Sequence, residues 1–574
     1  MFKCRKHSLG RLVLASALVT VISPPPMCPA QAVPASQGRG IDPAVLAKAS
    51  NGDAASQTLV GIAYAKGAGV QKDLSIAVSW YRKAADQGNR DAEVRLANCY
   101  LNGSGVETDV QEALHWYSSA ANLGDTEAQR QLGFMYRDGE YFWKVKEDDA
   151  ESFRWYSLAA NGGDADSENA VGAAYRSGTG VPQDFGQAVL WYRKAAKQGN
   201  NSAEFALGNM YENGVGVAKD HAEAVRLYRL AAEAGNADAQ YFLGNMYYKG
   251  LGSARNFPEA VRWFRKVSDQ KYSQLHERWT ARYTLGDMYY NGEGVPKDYG
   301  EALRWYSLAA EIDVLGTALA QVGDMYYKGQ GTSEDHAEAV RWYMKAAAKD
   351  NEYAQLRLAM SYDAGDGVQK SDSQAANWYM KAADQGSESA MLNLGNMYSD
   401  GRGLPRDYSS AMEWYRKAAD KGLGGAMVNI CLLYRDGNGV AQDYSQAMTW
   451  CRKAAQKGEP IAFSAIGGLY LEGNGVPQDY AEALRWYQKA ADQGYDRALL
   501  AIALMYEQGE GVPQDIGEAY FWYNLSCSSP LPAEVLDKWR HWRDEAAKKL
   551  TAGRLAEIQN RTRQWVKTHP PIYD

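Results

Sequence analysis

Histidine spacing is the first test for chemistry in this sequence. The seven histidines among the 574 residues form no His-Glu-x-x-His motif, and none lies beside a cysteine pair as a zinc site would require. His221 and His336 each follow an aspartate of the kind that begins a helix. We therefore expect neither a metal site nor another cofactor.

A single Ser-x-x-Lys sequence, Ser268 to Lys271, is the best candidate for a nucleophile. In penicillin-binding enzymes this spacing places a lysine beside the reactive serine, and Ser-Asp-Asn and Lys-Thr-Gly motifs accompany it. Neither motif is present here, and the sequence has no Gly-x-Ser-x-Gly motif and no phosphate-binding Walker loop. We therefore expect no catalytic residues and a protein that is not an enzyme.

The N-terminal residues have the features of a signal peptide. Lys3, Arg5 and Lys6 precede an apolar run from Leu9 to Ile22, and Pro-Ala-Gln-Ala, ending at Ala32, offers the small residues that a signal peptidase requires. No later run is apolar enough to span a bilayer. We predict cleavage near Ala32 and an exported product, periplasmic or secreted, with no stable membrane insertion.

The charge of the exported chain limits its partners. Loss of four basic residues with the leader takes the formal net charge from −7 to −11. An acidic surface argues against nucleic acid as a partner, because neutralising phosphates needs a basic face. The Arg-Lys pairs of the repeated sequence WYRKAA are expected to form a solvated helix face.

Tryptophan recurs along the chain at a spacing close to 36 residues, and Leu227 fills the one gap in the series. A fixed period of this length is typical of stacked helical repeats. The series defines thirteen repeats, marked by Trp80, Trp116, Trp155, Trp191, Leu227, Trp263, Trp305, Trp342, Trp378, Trp414, Trp450, Trp486 and Trp522.

Each repeat contains the pattern of two helices. In the first helix, Ala203, Leu207 and Tyr211 recur every four residues, and a Tyr-x-x-Gly sequence is expected to end the helix in every repeat. The second helix begins at Asp in eleven repeats, with Asn256 and Ser371 in the others, and a Glu or Gln three residues later predicts a capping box. The repeated tryptophan is expected to be its buried aromatic residue.

A hairpin of 36 residues cannot bury its apolar face alone, so neighbouring hairpins must stack. The sequence therefore predicts an all-α fold, an α/α solenoid (superhelix) of about thirteen helix-turn-helix units with capping helices at both ends. We assign residues 1–32 to the signal peptide, 33–52 to a linker and N-terminal capping half-repeat, 53–529 to the array, and 530–574 to C-terminal capping helices.

The pattern A-x-x-x-L-G-x-x-Y-x-x-G-x-G-V-x-x-D-x-x-x-A-x-x-W-Y-x-x-A-A-x-x-G resembles the Sel-one-like repeat (SLR), a relative of the tetratricopeptide repeat (TPR). The resemblance implies an α-solenoid that serves as a scaffold or adaptor for other proteins, in bacteria often exported. Some secreted members carry a cysteine bridge in each repeat and are linked to penicillin binding. This chain departs from that subgroup, because it has no cysteine in each repeat.

Four cysteines remain after the leader: Cys99, Cys431, Cys451 and Cys527. Cys431 and Cys451 fall within one repeat and form the one plausible local pair. An oxidising compartment permits a disulfide there, but sequence alone does not supply the geometry that bridging requires. The sequence therefore leaves open whether the two cysteines are bridged, and two separate buried thiols are the favoured interpretation.

Binding residues are expected where the repeats differ from one another. In the first helices of several neighbouring repeats, aromatic, amide and carboxylate side chains recur on the face away from the core. Tyrosine combines a large contact area with a polar group, which suits it to binding. The alternative, that these residues pack against neighbouring repeats, is somewhat favoured. We call the set the tyrosine stripe: Phe205, Asn209, Tyr241, Asn245, Tyr248, Tyr283, Asp287, Tyr290, Asp324 and Tyr327.

These observations favour a non-enzymatic scaffold that binds other proteins or peptides along a concave groove lined by the first helices. One alternative is an enzyme that acts on peptidoglycan or β-lactams, as the resemblance to the cysteine-rich relatives would imply. A second is a module that binds cell-envelope glycan, since tyrosine rings also stack on sugars.

Overall fold

A computed structural model describes residues 40–143, 145–270, 275–528 and 532–568. Within these ranges the regular structure is helical and contains no strand. The predicted signal peptide, residues 1–32, lies outside the described residues. Among the helices that are described, none combines the length and the apolar character needed to cross a membrane.

Thirteen helical hairpins follow one another along the chain, as the 36-residue period predicts. The first helices of the hairpins are α2 (Ala54–Lys66), α4 (Arg90–Asn102), α6 (Thr126–Trp143), α8 (Ala165–Ser177), α10 (Asn201–Asn213), α12 (Ala237–Lys249), α14 (Leu275–Asn291), α16 (Thr317–Tyr327), α18 (Glu352–Ala364), α20 (Glu388–Asp400), α22 (Gly424–Asp436), α24 (Pro460–Glu472) and α26 (Asp496–Gln508). The second helices are α3 (Leu74–Ala85), α5 (Val110–Asn122), α7 (Asp149–Asn161), α9 (Phe185–Lys197), α11 (His221–Glu233), α13 (Phe257–Asp269), α15 (Tyr299–Ala310), α17 (His336–Ala347), α19 (Asp372–Asp384), α21 (Tyr408–Asp420), α23 (Tyr444–Gln456), α25 (Tyr480–Ala491) and α27 (Ile516–Ser526).

Additional helices lie at both ends of the series. Helix α1 (Pro43–Ser50) packs on α2, and the Gln57 amide donates a hydrogen bond to the carbonyl of Ala49. Helices α28 (Ala533–Lys548) and α29 (Ala552–Thr568) both contact α27. These helices cover apolar surface that the terminal hairpins would otherwise expose, as repeat arrays require.

The start of the second helix is fixed by the same contacts in all thirteen repeats. The side chain of the residue before the helix accepts a hydrogen bond from a backbone N–H of the first turn, as the sequence predicts. The N–H of that residue donates to the carbonyl of the Tyr-x-x-Gly tyrosine, for example Asp220 to Tyr211. The predicted capping box is therefore only half correct. This N–H is already used, and in six repeats the nearby glutamate pairs instead with an arginine one turn later, as Glu223 does with Arg226.

The Tyr-x-x-Gly sequence ends the first helix in twelve repeats, where its glycine has a positive φ. The prediction is wrong for Gly139, because α6 continues past it to Trp143. The carbonyl of Gly139 instead accepts a hydrogen bond from the N–H of Val145, which is buried. The insertion after Gly139 thus accompanies a longer first helix that the repeat pattern does not indicate.

The buried aromatic residue of the second helix is the one after the tryptophan, which corrects the expectation from sequence. Tyr415 and Tyr487 are 3% and 6% exposed, whereas the preceding Trp414 and Trp486 are half-buried. The tyrosine ring packs against the glycine of the first helix, and a Cβ built at Gly395 would lie 2.5 Å from the ring of Tyr415. Tryptophan itself is buried in four repeats, at Trp155, Trp263, Trp305 and Trp522.

The Arg-Lys pair of WYRKAA also makes specific contacts, so it is more than the solvated face that we expect. In seven repeats the lysine amine lies over the tryptophan ring, as Lys194 does over Trp191 at 3.6 Å. The arginine reaches the next repeat, where Arg193 donates to the hydroxyl of Tyr211 over 2.6 Å. Similar arginine–tyrosine bonds join other neighbouring repeats.

The chain divides into two compact units, Met1–Trp263 and Phe264–Asp574, which we call the N-terminal and C-terminal stacks. In the C-terminal stack, Cys431 and Cys451 form a disulfide with their Cα atoms 5.3 Å apart. The sequence left open whether this pair is bridged and favoured two separate thiols. Cys99 and Cys527 are free.

Candidate interaction surface

In the N-terminal stack, the aromatic members of the tyrosine stripe belong to a cluster of rings. Phe205 on α10 lies 5.4 Å from Phe242 on α12 and 5.7 Å from Tyr228 on α11, measured between ring centroids. Tyr241 contacts Phe242 edge to face at 5.5 Å. Phe205 and Tyr241 are half-buried, so each packs within the stack and keeps part of its ring accessible.

The remaining N-terminal members lie further along the same helices. Asn209 accepts a hydrogen bond from the side chain of Asn213, one turn later on α10. The ring of Tyr248 lies 5.5 Å from that of Phe257 at the start of the second helix. Asn245, Asn209 and Tyr248 are all half-buried. These residues therefore lie at the surface of the stack, and Asn209 and Tyr248 contact their own repeat.

In the C-terminal stack, Tyr283 and Asp287 on α14 contact the buried tyrosine of the same repeat. The ring of Tyr283 lies 5.2 Å from Tyr306 and stacks on Trp279 at 5.2 Å. The Tyr306 hydroxyl donates to Asp287 over 2.6 Å. Burial raises the pKa of Tyr283 to about 12. Burial also raises the pKa of Asp287 above its usual range, although the hydrogen bond from Tyr306 opposes that change.

Tyr290 links two neighbouring repeats of the C-terminal stack. Its ring meets that of Tyr299 at 5.0 Å, and its hydroxyl donates to the side chain of Gln330 over 3.0 Å. Gln330 belongs to the loop after α16. The half-buried ring of Tyr290 therefore has one edge in a contact between repeats and another at the surface.

Asp324 on α16 is the one buried member of the stripe. It is 9% exposed and accepts hydrogen bonds from the hydroxyls of Tyr343, at 2.6 Å, and Tyr353, at 2.7 Å. The guanidinium of Arg357 lies 3.7 Å away. Tyr343 belongs to the same repeat, whereas Tyr353 and Arg357 belong to α18 of the next. Asp324 thus ties two repeats together.

Tyr327 lies between two basic groups in the same region. The Arg357 guanidinium sits 4.4 Å above its ring, and the imidazole of His336 stacks on it with ring centroids 4.5 Å apart. His336 also pairs with Asp366 in the loop of the next repeat and with Glu334. The hydrogen bond with Asp366 raises the pKa of His336 above its ordinary value, and Asp366 also raises the pKa of Tyr327.

Sequence reasoning missed Tyr353, Arg357 and Asp366 as parts of this cluster. Tyr353 and Arg357 lie four residues apart on α18, a spacing that places both on one face of the helix. That signal was available, but their approach to Asp324 depends on how consecutive hairpins stack. Asp366 belongs to the loop sequence GxG, which the repeat pattern explains without reference to His336.

One surface depression lies away from the tyrosine stripe. It has a volume of about 550 Å³ between α21 and α23, with Arg416, Tyr434, Asp443 and Trp450 among its lining residues. Arg416 donates to the Tyr434 hydroxyl, and Asp443 caps α23. The same contacts recur in other repeats, so they explain this depression as a consequence of the repeat.

Of the Ser-x-x-Lys sequence considered above, residues 268–270 lie within the described part of the chain. Ser268 is 6% exposed, and its hydroxyl accepts a hydrogen bond from Arg282 over 3.3 Å. Lys271 lies outside the described residues. Within the described part of the chain, no three His, Cys, Asp or Glu side chains converge in a way that could hold a metal ion.

The family model of the Sel1 repeat matches almost the whole array. This chain belongs to the Sel1 repeat family. The predictions of an SLR protein and of thirteen repeats are thereby confirmed. The matched residues are 54–89, 90–125, 126–164, 165–200, 201–236, 237–272, 279–313, 316–351, 352–387, 388–423, 425–459, 465–495 and 496–530.

One solved structure of a similar protein supports the same fold. The crystal structure of c5321, a protective antigen present in uropathogenic Escherichia coli strains displaying an SLR fold, is 32% identical, with a TM-score of 0.69. The alignment covers 79% of this Sel1 repeat chain and 95% of that one. A Sel1 repeat protein from Oxalobacter formigenes is 30% identical over 55% of this chain and 89% of that chain, with a TM-score of 0.45.

A curated relative matches over a much shorter length. DAP3-binding cell death enhancer 1 of Rattus norvegicus is 52% identical over 48 residues, which are 8% of this chain. The match spans only 9% of the length of that relative. The match is therefore limited to a short segment of each protein.

Proposed function

We propose that this Sel1 repeat protein is an exported, non-enzymatic scaffold that binds another protein or peptide along the outward faces of its first helices. Repeats of this family typically mediate protein–protein interaction. The observation that carries the proposal is the tyrosine stripe itself. It places half-buried aromatic rings on successive first helices in each of the two stacks.

Aromatic rings fixed in this way suit a binding surface. Tyr290 is held by Tyr299 and Gln330, and Tyr327 is held by Arg357 and His336. A ring whose rotamer is already fixed loses little conformational entropy when a partner covers it. Tyrosine is also enriched among the residues that dominate binding energy at interfaces.

Export is supported by the basic and apolar N-terminal sequence that ends at Ala32. The Cys431–Cys451 disulfide suits an oxidising compartment. Fractionation of cells, followed by N-terminal sequencing of the mature protein, tests this part of the proposal. A mature chain that begins with Met1 and remains in the cytoplasm would contradict it.

The binding test compares variants of one surface with matched variants of another. Tyr241→Ala/Tyr248→Ala and Tyr290→Ala/Tyr327→Ala remove rings of the stripe in the two stacks. Leu190→Ala and Met344→Ala, on exposed positions of second helices, are the controls. Partners captured from an envelope extract are identified, purified and titrated against each variant. We expect the stripe variants to weaken binding at least tenfold and the controls to leave it unchanged.

Other outcomes would favour the alternatives. Equal binding by the stripe variants and the wild type, with intact helical content, would refute the proposed binding along the first helices. Binding to a glycan array that the stripe variants abolish would favour a glycan-binding module. Hydrolysis of a chromogenic β-lactam that disappears in Ser268→Ala would favour an enzyme.

A further inference from the structure

The two bridged cysteines occupy a pair of positions that has another identity in the neighbouring repeats. Cys431 lies 36 residues after Gly395, and Cys451 lies 36 residues after Tyr415. In the repeat that contains Gly395, the glycine allows the tyrosine ring to pack directly on the first helix. The repeat that follows the two cysteines, with Gly467 and Tyr487, has the same arrangement. Both members of the glycine–tyrosine pair are thus replaced by cysteine in a single repeat.

The disulfide fills the place of that ring contact. Cys431 on α22 and Cys451 on α23 are fully buried, and their Cα atoms lie 5.3 Å apart. Around them lie Met448, Ile466 and Leu469, so the bond belongs to the apolar core of the repeat. Two thiols have much less volume than a phenol ring. Without the covalent bond, the pair would not hold the two helices together as the glycine–tyrosine contact does.

Helix α22 has few other local sources of stability. It begins with Gly424 and Gly425, and the residue before it is Leu423, which supplies no capping hydrogen bond. In α18, by contrast, Asn351 accepts a hydrogen bond from the N–H of Ala354. Glycine in a first turn and a missing cap both disfavour a helix. The adjacent first helices α20 and α24 also lack a capping hydrogen bond, but neither has glycine in its first turn. The two glycines therefore make α22 depend more on its contact with α23 than α20 and α24 depend on their partner helices.

We propose that the Cys431–Cys451 disulfide is a redox-dependent staple that controls local opening of this repeat. In the oxidised protein the bond holds α22 against α23. A dithiol reductant breaks the S–S bond: each sulfur gains one electron and one proton, and the reductant is oxidised to its own disulfide. The reduced repeat then opens and uncouples the helices before it from those after it, because repeats contact only their neighbours.

Hydrogen exchange of the full-length protein tests this proposal with and without dithiothreitol. Alkylation and mass measurement establish that Cys431 and Cys451 are reduced, since Cys99 and Cys527 are already free. We expect amides of α22 and α23 to exchange at least about tenfold faster after reduction, because loss of a cross-link enlarges the unfolded ensemble. Amides of α18 and α19 should exchange as before.

The matched variant is Cys431→Gly/Cys451→Tyr, which restores the pair found in the neighbouring repeats. Its exchange should be slow and should not respond to dithiothreitol. Unchanged exchange in the reduced wild type, a bond that resists reduction in the folded protein, or an equal response in the double variant would each overturn the proposal. If the double variant does not fold, the comparison of oxidised and reduced wild type decides alone.

Discussion

Replacement of Glu93 by glutamine is expected to stabilise the N-terminal stack. Four other repeats have glutamine at this position of the first helix, and in three of them its amide donates to a carbonyl at the end of the preceding helix. The bonds join Gln57 to Ala49, Gln129 to Ala121 and Gln240 to Ala232 over 3.0–3.1 Å. By the 36-residue period, the equivalent acceptor for Glu93 is the carbonyl of Ala85.

An ionised glutamate cannot make this bond. Glu93 is 2% exposed; one carboxylate oxygen accepts from Ser119, and the other is buried without a hydrogen-bond partner. Burial raises the pKa of Glu93, the Ser119 hydroxyl and nearby His115 oppose the change, and Asp125 adds to it. The protonated form is therefore favoured in the folded state relative to the unfolded chain. Its contribution to stability is complete below the ordinary pKa of 4.5 and is lost as pH rises through the folded-state value.

Glu93→Gln supplies the missing donor at every pH and should increase the free energy of unfolding at pH 7 by about 1–2 kcal/mol. The Ser119 hydroxyl can still donate to the new amide oxygen. Hydrogen exchange of α4 and α5 amides measures the effect locally, and the gain should shrink as pH falls through the raised folded-state pKa of Glu93. Gln129→Glu should show the opposite change. Glu107→Gln, an exposed position with the same change in charge, is the control. A gain that is absent at pH 7, or equal at all pH values, would refute the reasoning.

Three further predictions follow from the packing and the caps. Tyr415→Ala should lower the free energy of unfolding by about 3–5 kcal/mol and Trp414→Ala by only about 1–2 kcal/mol, because only the tyrosine is fully buried. Thermal denaturation of the two variants measures this difference in stability. Asp350 has φ 57° where most other repeats have glycine, so Asp350→Gly should raise stability by about 0.5–1 kcal/mol in the same assay. The bond to Asp366 raises the pKa of His336, so the stability that this pair adds should be complete below pH 6.5 and decline as pH rises through the folded-state pKa. Hydrogen exchange of amides at the start of α17 should show this pH dependence in the wild type. The pH dependence should be absent in His336→Gln.

Features that depend on neighbours in sequence could be predicted well. The period of the tryptophans and the glycine and aspartate around each loop set the helix boundaries, because caps act within one turn. Thus the helix starts at Asp220 and Asp479 agree with the structure. Gly139 shows the limit of this reasoning, since α6 continues past it and its carbonyl bonds to the N–H of Val145, six positions later.

Features that depend on packing between helices could not be predicted. Trp414 and Tyr415 are adjacent in sequence, and both are large enough to fill a core. The structure shows that the tyrosine is the one whose ring packs against Gly395 of the first helix. Similarly, the pattern placed Asp324 on the stripe, but the hydroxyls of Tyr343 and Tyr353 that bind it come from two other helices. The spacing of 20 residues between Cys431 and Cys451 could not show that both replace members of one contact.

These contacts determine which stripe residues can test binding. Asp287 and Asp324 each accept a hydrogen bond from a buried tyrosine, so their removal would leave a buried hydroxyl without its acceptor. Loss of binding in such a variant would not distinguish a damaged repeat from a lost contact. Tyr290 bonds instead to Gln330 in a surface loop, and its loss should affect the core much less. A binding defect in Tyr290→Ala without a matching loss of stability would therefore identify the stripe as a contact surface, whereas parallel losses would assign it to packing.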